Sequence, residues 1–67
     1  MGIHEAVAAI IGDQRAHDIT MDQGIHWAVV AAMAEATTDH DPEAIAFIRS
    51  WNARQKAASF EAGEQSQ

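Results

Sequence analysis

The chain has 67 residues, ten acidic and four basic, with a net charge of −6 and no cysteine. So short a chain holds one domain at most, near the size where a single core is only marginally sufficient. The missing cysteines exclude a disulfide or a thiolate metal site, and the acidity argues against direct binding to a phosphate backbone.

β-Branched alternation is absent and alanine dominates, so the expected class is all-α: three helices at about 3–17, 21–37 and 42–61, in a small bundle or helical hairpin. The first begins near Ile3 and places Ile3, Val7, Ile10 and Ile11 on one face. Gly12 can end it as a residue past the C-terminus. Alternatively the helix tolerates Gly12 at about 1 kcal/mol relative to alanine and continues to about His17. Continuation is the expectation, because Asp13-Gln14-Arg15-Ala16 carries no turn chemistry.

Thr20-Met21-Asp22-Gln23 has the form of a capping box, so the second helix is expected to start at Met21. Its run Ile25–Ala36, IHWAVVAAMAEA, is apolar on nearly every side. Met21, Ile25, Ala28, Val29, Ala32, Met33 and Ala36 make one stripe; Trp27, Val30, Ala31 and Ala34 make a second beside it. A helix that is hydrophobic all round is a buried helix, and this chain has little material to wrap one. Self-association is therefore expected to complete the core, most simply as a two-fold homodimer. Its core and dimer residues would be Ile25, Trp27, Val29, Val30 and Met33, with Phe47 and Ile48 from the third helix.

Thr37–Asp41 reads as a polar connector, and Asp41-Pro42-Glu43 as a helix start: cap, first helical position, acidic first turn. The third helix carries Ala44, Ile45, Phe47, Ile48 and Trp51 before turning polar. Gly63 is the expected stop, so that 1–63 form one helical domain and 64–67 a disordered tail.

The charge is uneven. Residues 1–20 sum to −2, residues 21–41 to −4, and the remainder, with Arg49, Arg54 and Lys56 against Glu43, Glu61 and Glu64, to zero. No apolar stretch reaches the length of a membrane span. Glu5 and His4 come early, with no Lys or Arg before them, so neither a secretory leader nor membrane attachment is expected. A cytoplasmic protein fits.

Chemistry-bearing residues are few. His17, Asp22 and His26 are weak metal candidates near the first interhelical junction, Asp22 and His26 being one turn apart. Helix capping and ion pairing account for all three, so no metal and no cofactor is expected. Asp39–Glu43 lacks the glycine and alternating acceptors of a calcium loop. With no Cys or Tyr and no GxSxG turn, nucleophilic catalysis has little to work with, and the protein is not expected to be an enzyme.

What remains is binding. Trp51 lies within one turn of Arg49, Asn52 and Arg54, a mixture that protein interfaces favour. The expected function is a small acidic protein-binding module, an adaptor or inhibitor that occupies a surface on another protein. One alternative is an acidic mimic of nucleic acid that blocks a nucleic-acid-binding protein. Another is a small helix-turn-helix-like regulator, with the third helix as its reading element.

Overall fold

The first helix, α1, spans Ile3–Ile11. Its first free amide, on Gly2, donates to the Glu5 carboxylate at 3.4 Å, which also places negative charge at the positive end of the helix dipole. The computed structural model describes residues 1–65, with side chains to residue 58, and over that range it holds four helices and no strand. The others are α2 (Asp13–Gln23), α3 (Ile25–Glu35) and α4 (Pro42–Gln65). The all-α class holds, while the expected three helices become four.

The extra break falls at Gly12, where continuation was expected. Gly12 has φ 93° and ψ 152°, a backbone region that is essentially glycine-only. Its N–H closes α1 on the Ala8 carbonyl at 2.9 Å, and its own carbonyl opens α2 by accepting from Ala16 at 3.0 Å. One residue therefore serves as the end of one helix and the start of the next.

Gly24 repeats the device. With φ 103° and ψ 161°, it donates to the carbonyls of Ile19 and Thr20 and accepts from the amides of Trp27 and Ala28. The capping box expected at Thr20 does not form. Thr20 lies inside α2, and the Gln23 amide turns to the Asp22 carboxylate at 3.4 Å instead. A residue that can take positive φ is a stronger stop than a threonine is a start, so the boundary moves to Gly24.

Helix α3 ends at Glu35, two residues before the expected Thr37, because the connector has its own hydrogen bonds. The Thr37 amide donates to His40 Nδ1 at 3.0 Å, and the His40 amide donates back to the Thr37 carbonyl at 3.1 Å. The α4 start is as expected: the Glu43 amide donates to Asp41 Oδ1 at 3.0 Å. Helix α4 then runs through Gly63, past the expected stop, to Gln65. Of the expected tail, residues 66–67 lie outside the described residues.

Helices α1 and α3 form the centre. Each packs against all three other helices, whereas among the described residues α2 and α4 do not meet. The core consists of Ala6, Val7 and Ile10 from α1, Ala16 from α2, Ala28, Val29 and Ala32 from α3, and Ala44 and Ile48 from α4. Five of these are alanines, which let the helices approach closely but bury little. Among the described residues only Val7, Ile10, Val29 and Ile48 of these are large, each stabilising by roughly 1.5–3 kcal/mol when buried. That is a thin core for a domain, and it makes any uncovered apolar face energetically significant. Among the described residues, no helix is long and apolar enough to cross a membrane.

Candidate interaction surfaces

The two stripes of the apolar run separate on α3. Ala28, Val29 and Ala32 are buried, with Ile25, Met33 and Ala36 packed beside them. On the opposite side Trp27 is 54% exposed, Ala34 is exposed, and Val30 and Ala31 are half-buried. This outer face carries no charged side chain. His26 stands edge-on to the Trp27 ring at 6.2 Å. Glu35 turns aside to pair with Arg15 of α2 at 2.5 Å, which raises the guanidinium pKa above its ordinary value through hydrogen bonding and charge. Both partners are solvent-accessible, so the pair fixes orientation more than it stabilises. Met21, expected in the inner stripe, belongs to α2 and is 73% exposed.

The residues expected to face a partner do not share one surface. Trp51 packs against the core, and Asn52 is half-buried beside it. Arg49 and Arg54 are both exposed but, five residues apart, lie about 140° apart around the helix axis. Arg54 donates to Ser50 Oγ at 3.1 Å; Arg49 has no hydrogen bond or ion pair among the described residues.

Arg49 instead edges a cleft of about 540 Å³ between the connector and the first turns of α4. Pro42, Ile45, Ala46 and Arg49 line one wall, at the spacing of a single helix face. Ala36, Thr37, Thr38 and His40 line the other. The Thr37 amide occupies His40 Nδ1, so the neutral ring carries its proton on Nε2. Among the described residues, the cleft thus combines an apolar floor with one free cation, the hydroxyls of Thr37 and Thr38 and an imidazole donor. Its volume lies in the range of small-molecule and side-chain pockets. The signal in the sequence is the 42-45-46-49 spacing: Pro42 is expected as a helix start, Ile45 as core and Arg49 as a partner contact, without the single face that joins them.

A smaller cleft of about 310 Å³ lies between α1 and α2, lined in part by His4, Asp13, His17 and Thr20. The buried Thr20 Oγ1 has no hydrogen-bond partner. The weak metal candidates His17, Asp22 and His26 are all exposed. Among the described residues no three His, Asp or Glu side chains come together as a metal would need.

Every acidic side chain from Glu5 to Glu43 is exposed. No protein-family model, curated protein or solved structure matches the chain.

Proposed function

We propose that the protein is a small acidic protein-binding module, an adaptor or inhibitor that works as a homodimer and occupies a surface on a partner protein. The observation that carries the reading is the cleft between the connector and α4. Its apolar floor and unpaired Arg49 suit a partner segment presenting an aliphatic side chain next to a carboxylate. The guanidinium is the group of choice for a carboxylate, and the apolar wall beside it takes up the aliphatic side chain. Trp51 and Asn52 support this contact only through the packing of α4, and Arg54, on another side of the helix, lies outside it.

The exposure of every acid from Glu5 to Glu43 favours a second reading, the nucleic-acid mimic, in which the acidic face itself is the contact. The helix-turn-helix alternative has less support. Its reading helix would be α4, and the connector before it, residues 36–41 between Glu35 and Pro42, is longer than the turn of about three or four residues that motif uses.

The discriminating experiment is capture of partners from the native host by the wild-type protein, Arg49→Glu and Glu5→Arg, with identification by mass spectrometry. The cleft reading expects a partner retained by wild type and Glu5→Arg and lost by Arg49→Glu. Loss with Glu5→Arg and retention with Arg49→Glu would replace it by the mimic.

A further inference from the structure

The cleft between the connector and α4 keeps acids out of an acidic stretch of chain. Asp39, Asp41 and Glu43 all fall within its span of sequence, yet all three are exposed and none of them lines it. The side chains that do line it are apolar or can donate a hydrogen bond. The smaller cleft between α1 and α2, by contrast, includes Asp13. Residues 1–43 carry eight acids against Arg15 alone, so a concavity lined without a carboxylate stands apart from its surroundings.

Three of its donors have nothing to bond within the chain. The Thr37 hydroxyl is engaged in the connector, accepting from the Asp39 amide at 3.3 Å and standing 3.3 Å from His40 Nδ1. Among the described residues the Thr38 hydroxyl, the Nε2 proton of His40 and the Arg49 guanidinium are left without a partner. Unengaged donors gathered with one cation select an anion. A single guanidinium balances one charge, and a chain of net charge −6 repels a phosphate, which brings two charges or a row of them. A monocarboxylate fits, and the Pro42, Ile45 and Ala46 side of the cleft calls for an apolar group next to it.

A protein can present that pair in two ways: an internal acid beside an aliphatic residue, or the last residue of a chain, which holds both on one carbon. The shape of the cleft favours the second. Its walls are one continuous backbone from Ala36 through Asp41 to Arg49, so it is closed at the end where Pro42 joins them. Helical rise puts Arg49 about 10 Å from that end, the length of about three extended residues. A chain terminus can stop inside that distance. An internal segment has to lead its backbone out again.

We propose that the cleft receives the free C-terminus of the partner, with the terminal carboxylate on Arg49 and the connector donors and an aliphatic last side chain against Ile45. This rests on the protein-binding reading above and names the part of the partner that is held.

The test uses the full chain, labelled with nitrogen-15, and three short peptides followed by amide resonances. The probes are acetyl-alanyl-alanyl-leucine with a free carboxylate, the same peptide as a carboxamide, and an amidated peptide carrying an internal leucyl-aspartyl pair. The free acid should shift the amides of Thr38, Ile45 and Ala46 saturably and bind roughly tenfold or more tighter than either amidated peptide. Arg49→Gln, at an exposed position, should abolish the preference for the free acid with unchanged helical circular dichroism.

Equal binding of the free acid and its carboxamide would overturn the proposal, as would saturable shifts that fall away from the connector and the first turns of α4. Internal-acid binding as tight as that of the free acid would overturn the terminus and leave the cleft reading in place. No saturable shift with any peptide at tens of millimolar would also end the proposal. The protein-binding reading is then judged separately, by whether Arg49→Glu loses the partner captured from the host.

Discussion

Replacing Gly24 with alanine isolates the backbone device on which the fold turns. Gly24 sits at φ 103° and ψ 161°, and a methyl group built there meets no atom within 4 Å. Crowding therefore contributes nothing, and the cost is that of holding an L-residue in a conformation it rarely adopts. Such positions cost of order 1–3 kcal/mol. Alanine also restricts the unfolded chain, which returns about 0.4–1 kcal/mol. The net expectation is a loss of roughly 1–2 kcal/mol, against a total of about 3–5 kcal/mol for a core of this size. Urea denaturation followed by far-ultraviolet circular dichroism should show a lower midpoint with an unchanged slope. A lower slope would mean that α2 and α3 had fused into one straight helix and opened the bundle. Unchanged or raised stability would refute the reasoning, because Gly24 could not then be a positive-φ junction between two helices.

Three further substitutions test the packing and the caps. Asp41→Ala removes the acceptor for the Glu43 amide and should cost about 0.5–2 kcal/mol in thermal or urea unfolding; no change would place the start of α4 elsewhere. Thr20→Val removes a buried hydroxyl that has no partner and should stabilise by about 1 kcal/mol, valine and threonine having similar helix propensity. A less stable Thr20→Val would show that the hydroxyl is satisfied in solution. Ile48→Ala empties the largest fully buried side chain and should cost about 2–5 kcal/mol, leaving little folded protein; a loss below 1 kcal/mol would mean that α4 does not complete the core.

Composition and spacing were enough to read the all-α class, the Asp41-Pro42 start and the two stripes of α3, because each rests on local chemistry. The Gly24 junction is not legible in that way, and the stop at Gly12 is only one of two alternatives, the less favoured, although a signal for it is present. Ile10 and Ile19 are nine residues apart, which on one continuous helix places them on opposite sides, about 180° apart. Both pack on the same core, and that requires the chain to change direction between them, at Gly12. Thr20 misled because its capping pattern is correct in isolation and is overridden by the glycine four residues later. The partner residues on α4 were chosen by proximity in sequence. Helical phase separates Arg49 from Arg54, and the cleft that takes Arg49 depends on a connector fold that only the Thr37–His40 hydrogen bonds define.

The proposed homodimer requires the outer face of α3 to be open in the single chain and closed by association. Trp27 reports on that face directly once Trp51, the other tryptophan, is replaced by phenylalanine. In dilute Trp51→Phe protein the emission should be that of a solvent-exposed indole, in keeping with 54% exposure. It should shift to the blue as concentration rises, in step with the appearance of dimer by sedimentation. Emission that stays at the exposed wavelength while the sedimenting mass doubles would contradict the account, as would a buried-type spectrum at the lowest dilution.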